Sequence, residues 1–419
     1  MNKRVAILTT FANFDSAYSL CSVVEAQLAA LVKYGYKPVL FTLTNFTGDE
    51  KVPKGVEIRK VIPKLLLIDY SNFQAPAATF NDDAKKVYEV FKEHLKDIDI
   101  IIEHDLIFQG WFLPYASAIH NFAAQSKIKW FHWIHSVPSP KGKPELPHGF
   151  RFTLPANSKL VYLNNKHLIR AAEMYNIFPK DVRIVYNSVD PRLFYDLHPL
   201  VSNLIDRYDI LSADYIDVYP LSTTRMVDGK QIYVVIEVMA ALKKLGKTVR
   251  FIVCNAHAND KREKEVIANT LSFANMKGLN SSEVIFTSLE DAPTYELGVP
   301  REVVSQLFQL SNVFIFPSVS ENCSLVLLEA MLAKNLLILN DNAFLPFREF
   351  AKENALYFDF GSIMHTTTYD NRENFMGDVA KIINAQMSTN TALKASADIR
   401  KNFSYDVIFK QQIEPLFWE

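Results

Sequence analysis

Residues 316–339 read FPSVSENCSLVLLEAMLAKNLLIL. The apolar run before Pro317-Ser318 reads as a strand that stops there, because proline cannot donate to a sheet ladder and serine favours turns. A short polar loop follows, and the apolar stretch starting near Asn322–Ser324 reads as a helix. Leu336–Leu339 is the next strand. Strand, helix and strand in so short a stretch form a βαβ unit, which implies a parallel sheet. Glu321 lies just before the helix and Glu329 two turns inside it. Unpaired N–H groups give a helix N-terminus a positive partial charge that suits a phosphate or diphosphate. Glutamates flanking such a site can accept hydrogen bonds from sugar hydroxyls on either side. The same spacing also fits a capped amphipathic helix with two exposed acids.

The pattern extends in both directions. In the first half, short β-branched and aromatic runs predict strands at Val5–Leu8, Pro38–Leu43, Ile98–Ile102, Lys129–Trp133, Leu160–Leu163 and Arg183–Tyr186. Helices are predicted at Ser22–Tyr34 and Ala84–Leu95, the latter opened by Asn81-Asp82-Asp83 as N-cap and acidic first turn. A second series comprises Ile216–Tyr219, Arg250–Cys254, Val284–Thr287, Val313–Phe316, Leu336–Leu339 and Ala355–Phe358, with helices at Ile232–Leu245 and Leu325–Leu332. A polar stretch near residues 195–213 separates the two series. The expectation is an α/β chain of two facing Rossmann-like domains, residues 1–200 and 201–401.

Composition narrows the function classes. The 419 residues are 49% hydrophobic and 22% charged, which fits globular domains and excludes disorder as the main state. Lys+Arg 45 against Asp+Glu 46 leaves a net charge of −1, so no overall field attracts nucleic acid or anionic lipid. Cys21, Cys254 and Cys323 are too few and scattered for a disulfide framework or a cysteine zinc site. The apolar run near the N-terminus is shorter than a signal-peptide core, and no stretch approaches a bilayer span, so a cytoplasmic protein is expected.

With the strands placed, the loops at their C-terminal ends become the candidate ligand sites. Ser136–Phe150, SVPSPKGKPELPHGF, is predicted as a long surface loop because its prolines and glycines exclude helix and central strand. Its Lys141, Lys143, His148 and the neighbouring Arg151 suggest an acceptor bearing phosphate or carboxylate, although a solvated connection fits as well. Thr9–Ser22 contains no glycine, and Ser16, Tyr18 or Ser19 are candidate donors at the following helix. His104-Asp105 and His135-Ser136 end two adjacent strands, where histidine can bond a sugar hydroxyl or a developing oxyanion.

SENCSLVLLEAM resembles the Glu-x7-Glu motif of retaining GT-B glycosyltransferases of the family 4 type, and other stations follow in order along nearly the whole chain. STTRMVDGKQIYVVIEVMAAL resembles the segment that opens their second domain. VYNSVDPRLF resembles the one that closes the first, keeping Asn187 and Asp190 with Ser188 in place of glycine. The resemblance implies that Arg225 and Lys230 hold the donor diphosphate and that Glu321 grips the transferred sugar. It also implies that Glu329 binds the ribose, that Asn322, Cys323, Ser324 and Leu325 line the phosphate, and that His135 or His104 stands near the reacting sugar. The donor would be a UDP-, GDP- or ADP-sugar carrying a hexose. The acceptor would be a saccharide, a lipid-linked sugar or a nucleic acid, and no cofactor or metal would be needed. The last segment, 402–419, would cross back onto the first domain, and the oligomeric state stays open.

The departures lie in the glycines. Asn322 and Ser324 replace both in the motif loop, and the loop after the first strand has lost its own. A nucleotide-sugar epimerase of the same fold and an inactive sugar-nucleotide-binding subunit are the alternatives. Asp97-Ile98-Asp99 matches the Asp-x-Asp pattern of metal-dependent transferases but opens an apolar strand, which disfavours a metal there.

Overall fold

A computed structural model describes the chain apart from residues 1–2, 16–17, 137–143, 223–228, 260, 323, 343–344 and 362–371. It consists of two compact units, Met1–Asp190 with Phe403–Glu419, and Pro191–Asn402. Each is a parallel sheet with helices on both faces, the α/β architecture expected of a GT-B chain.

The first sheet contains β1 (Arg4–Leu8), β2 (Lys37–Leu43), β3 (Glu57–Ile62), β4 (Ile100–His104), β5 (Lys129–Ile134), β6 (Ser158–Tyr162) and β7 (Val182–Ile184), in spatial order β3-β2-β1-β4-β5-β6-β7. The second contains β8 (Tyr215–Ser222), β9 (Val249–Ala256), β10 (Val284–Phe286), β11 (Val313–Phe316), β12 (Leu336–Asn340) and β13 (Ala355–Phe358), in order β10-β9-β8-β11-β12-β13. In each sheet the chain runs outward from its first strand and then crosses to that strand's other side. Such a reversal opens a crevice beyond the carboxyl ends of the strands, between β1 and β4 in one sheet and β8 and β11 in the other.

Central strands are apolar on both faces because both are covered. Along β1, Val5 and Ile7 pack with Val24, Leu28 and Phe409, while Ala6 and Leu8 pack with Val87, Phe91 and Ile119. The Phe403–Glu419 segment belongs to the first of these layers. Phe409 stacks on Tyr34 at 4.7 Å, Phe417 meets Tyr36 at 5.3 Å, and Tyr36 donates to Glu414 at 2.8 Å. At the other end of the segment, the Val189 N–H donates to the Phe403 carbonyl at 3.0 Å.

Several sequence expectations are corrected. The two units divide after Asp190, so helix Pro199–Tyr208, within the polar stretch near 195–213, belongs to the second unit, where it buries Leu200, Val201, Leu204 and Ile205 in the core. The helix expected at Ala84 begins at Phe80. Its N-cap, Thr79, makes no side-chain capping bond, so Asp82 and Asp83 act through the first-turn dipole, with Asp83 also paired to Lys86 at 3.0 Å. The Ser136–Phe150 segment is not a surface loop throughout, because His148–Phe152 forms a 3₁₀ turn with His148 and Arg151 buried. Arg151 donates to the Phe108 carbonyl at 2.8 Å and His148 bonds the Gln74 carbonyl at 3.0 Å, so these two of the four side chains in that reading are structural.

Among the described residues no helix is long and apolar enough to cross a membrane.

Candidate functional site

In the second unit, the loops after β8 and β11 meet at the crevice where the strand order reverses. Tyr219, on β8, donates to the Lys230 carbonyl at 2.9 Å and fixes that loop's main chain. Gln231 has a left-handed backbone, φ 50°, at the helix boundary, and its side-chain amide donates to the Pro317 carbonyl at 2.9 Å. Val319 N–H closes the seam to the Gly229 carbonyl at 3.0 Å. This clamp brings together Lys230 and Glu321, which are ion-paired although far apart in sequence. Ser318 donates to Glu321 at 3.1 Å, and Lys230 lies 5.3 Å from the centre of the Phe316 ring.

Helix Leu325–Leu332 starts beside this pair. Ser324 is its N-cap, accepting from Leu327 N–H at 3.4 Å, while Asn322 and Leu325 are exposed. Ser324 therefore takes a capping role that glycine could not fill with a side chain. Glu329 lies in the second turn, paired at 2.9 Å with Arg301, which is 81% exposed. A rim pair of that kind holds its carboxylate only weakly, so a ligand hydroxyl can compete for it. Arg225 and Cys323 lie outside the described residues. Ser318, Gln231 and Asn340 have no assigned role from sequence. Asn340 donates to the Ser318 carbonyl at 3.1 Å and the Gly361 carbonyl at 2.8 Å, bracing the same loop, and its only signal is a polar residue ending an apolar strand.

In the first unit, His104 and His135 come together at the ends of β4 and β5, with His104 Nδ1 2.9 Å from His135 Nε2. His104 Nε2 lies 3.0 Å from the Gln27 Oε1 carbonyl, on helix Ser19–Lys33. Because Oε1 only accepts, His104 carries its proton on Nε2, and its Nδ1 accepts from His135 Nε2–H. That leaves His135 Nδ1 as an acceptor. Burial holds both rings neutral, pushing His135 down to about 4 and His104 well below the usual imidazole range, the latter also through its neighbour His135. Asp105 has a left-handed backbone, φ 59°, and its carboxylate accepts from the His135 main-chain N–H at 2.9 Å. Burial raises Asp105 to about 7. Gln109 donates to the Ser136 hydroxyl at 2.7 Å, and Gln27 and Gln109 are supports that no sequence pattern announces.

The glycine-free loop after β1 is held by rings instead. Phe11 packs edge-on to Phe14 at 5.9 Å and to Tyr18 at 6.0 Å, and Phe14 to Phe46 at 5.9 Å. Close approach is provided by Gly48 on the facing segment, where an added Cβ would lie 3.0 Å from Phe46 and 3.2 Å from the Phe14 nitrogen. Tyr18 is half exposed, whereas Ser16, Lys141 and Lys143 lie outside the described residues.

The Asp-x-Asp carboxylates sit at the opposite, N-terminal edge of this sheet. Asp97 is paired with Arg59 at 2.8 Å, which lowers it to about 2, and Asp99 accepts from the Arg4 N–H at 2.8 Å. Among the described residues no cluster of three or more His, Cys, Asp or Glu is placed to hold a metal ion.

No protein-family model matches the chain, and no curated protein matches its sequence. Solved structures resemble it in fold at low identity. A glycosyltransferase from Rickettsia africae is 15% identical, with 99% of this chain and 98% of that one aligned and a TM-score of 0.35. HepE from Anabaena in complex with UDP is 14% identical over 100% of both chains, with a TM-score of 0.33. Sucrose-phosphate synthase from Thermosynechococcus elongatus is 15% identical over 100% of both, with a TM-score of 0.32. Likeness at this level carries nothing about activity.

Proposed function

We propose that the chain is a retaining, metal-independent glycosyltransferase that moves a hexose from a nucleoside-diphosphate sugar to an acceptor hydroxyl. The observation that carries this reading is the Lys230–Glu321 pair with Ser318 at the reversal point of the second sheet, beside a helix N-terminus. A cation and a helix N-terminus suit a diphosphate, and a carboxylate beside them suits the hydroxyls of the attached sugar. In the reaction, the bond from the anomeric carbon to the diphosphate oxygen breaks, and the acceptor oxygen bonds that carbon on the same face. The acceptor proton passes to the departing phosphate oxygen. Lys230, with Arg225, offsets the charge that develops there. Glu321 holds hydroxyls of the transferred sugar and Glu329 the ribose, while in the first unit His135 Nδ1 is free to accept a hydrogen bond from a hydroxyl, with no proton transferred.

Two outcomes test the reading. Excess EDTA is expected to leave transfer and donor hydrolysis intact, and an activity lost to EDTA and restored by manganese would refute it. In a thermal-shift panel of UDP, GDP and ADP, Glu329→Ala is expected to weaken nucleotide binding by about 1.5–3 kcal/mol, the value of a hydrogen bond to a charged group. Glu321→Ala is expected to spare nucleotide binding and lower sugar transfer. Equal losses of nucleotide affinity would show that the two roles are misassigned.

A further inference from the structure

A pocket of about 380 Å³ opens at the reversal point of the first sheet, within the first unit. Its buried wall is formed by Phe11, Leu20, Leu43, Leu65, Leu106 and Tyr115. The hydroxyls of Thr9 and Tyr115 and the ring of His104, which line the pocket, already have partners. The Thr9 hydroxyl donates to the Phe41 carbonyl at 2.8 Å, and the Tyr115 hydroxyl to the Pro63 carbonyl at 2.8 Å. Both His104 ring nitrogens are bonded, to His135 and Gln27. The exposed rim differs in character, carrying Asn13, Asp15, Tyr18 and Lys64 beside Leu67.

A saccharide lying on this wall would leave its hydroxyls without partners, and each unpaired buried hydroxyl is costly. An apolar body would instead be removed from water against a surface of matching chemistry. Exposed apolar side chains also stand next in sequence to the lining, Leu66 between Leu65 and Leu67 and Trp111 beside Phe112. Leu66 is 79% exposed, Leu67 54% and Trp111 44%, on two segments joined where Gly110 packs against Ser71.

We propose that this pocket takes an amphiphilic acceptor, with an aliphatic or aromatic body against the buried wall and a hydroxyl-bearing head among the rim residues. The inference rests on the transferase reading for its role, and is argued in place of the charged acceptor suggested by Lys141, Lys143, His148 and Arg151, of which His148 and Arg151 are internal and the two lysines lie outside the described residues. It accounts for a loop after β1 that carries Phe11, backed by Phe14, since the Phe11 ring supplies apolar wall where a glycine would supply a backbone amide.

The test uses octyl β-D-glucoside below its micellar concentration against methyl β-D-glucoside, which presents the same head, by calorimetric titration of the full chain. Wild-type protein is expected to bind the octyl compound at least about tenfold more tightly, a difference of about 1.4 kcal/mol. Leu67→Asp, at an exposed position, and Phe112→Ala, on the pocket lining, are each expected to bring the octyl affinity down to that of the methyl compound. Wild-type melting temperatures would verify that both variants fold. Equal affinities in wild-type protein, or an octyl preference that survives in both variants, would overturn the proposal. Titration of UDP, GDP and ADP on the same protein separates the two readings. Octyl preference without binding of any nucleotide would sink the transferase reading alone, and nucleotide binding without octyl preference would sink the amphiphilic acceptor alone.

Discussion

Replacing Lys230 by alanine is expected to lower sugar transfer by about 10²–10³-fold, the loss typical of removing one group that stabilises a developing anion. A unit charge about 4 Å from a phosphate oxygen contributes about 4 kcal/mol at an effective dielectric near ~20, so the electrostatic magnitude suffices. Lys230 is suited to this because its main chain is fixed by Tyr219 and its ammonium lies against Phe316 and Glu321, which limits reorganisation when charge develops. The variant also leaves Glu321 unpaired in a site where it is only 10% exposed, so some stability is lost as well. Glu321→Gln in the Lys230→Ala background removes the stranded charge. That double variant reports stability alone, because Glu321 is itself assigned to the sugar; low transfer by Lys230→Ala at a temperature well below its own melting point would place the defect in the chemistry. Transfer by Lys230→Ala within threefold of wild type would refute the role.

The same residues show how much could be read in advance. β11, β13 and helix Leu325–Leu332 have the bounds that the apolar runs predict, because each is continuous and bordered by turn residues. β3 was invisible because EIRKVI interleaves charges with apolar residues at a sheet edge, where one face is wet. Helix Leu113–Ala123 was invisible for the opposite reason. Every residue from Leu113 to Ile119 is buried, so no amphipathic period marks it. Helix Pro199–Tyr208 keeps that period but sits among polar neighbours and reads as part of the polar stretch between the two series.

At the sites, Lys230 and Glu321 were legible because each stands in a local run with a strand behind it. Their convergence follows from sheet order, which no local run encodes. The proton position on His135 depends on Gln27 and His104, contributed by a helix after β1 and by the end of β4. The apolar pocket likewise combines residues following β1, β2, β3 and β4. Arg151 misled because a cation in a proline-rich segment normally faces water, and here backbone carbonyls of Phe108 and Tyr70 satisfy it internally.

Stability is expected to peak in mildly acidic solution, and Glu103→Gln is expected to flatten its alkaline decline. Glu103 and His132 face each other across β4 and β5 with no exposed surface, Glu103 Oε1 lying 2.6 Å from His132 Nδ1. Burial raises Glu103 to about 8 and lowers His132 to about 3. At neutral pH the pair is therefore uncharged: the protonated carboxyl donates to Nδ1, and Nε2–H donates to the Ser158 hydroxyl at 2.9 Å. That hydroxyl in turn donates to the Ala156 carbonyl at 3.2 Å, so the Ser-His-Glu chain is a closed structural relay rather than an activated nucleophile. As pH rises from about 4.5, the unfolded chain releases the Glu103 proton while the folded chain keeps it, so this group's stabilisation falls until about pH 8. For His132 the sign is opposite. Its stabilisation is complete above pH 6.5 and is lost as pH falls toward about 3, because the unfolded imidazole takes up a proton that the buried ring refuses. Asp105, raised to about 7, loses its contribution by neutral pH, and Asp217, raised well above the carboxylate range by complete burial, adds to the decline as pH rises. Glutamine can keep donating to Nδ1 without an ionisable proton. Urea denaturation at pH 5 and pH 8 should therefore show Glu103→Gln gaining on wild type by a few kcal/mol between the two conditions. Parallel stability curves for the two proteins would show that Glu103 is ionised in the native state and that the neutral relay is wrong.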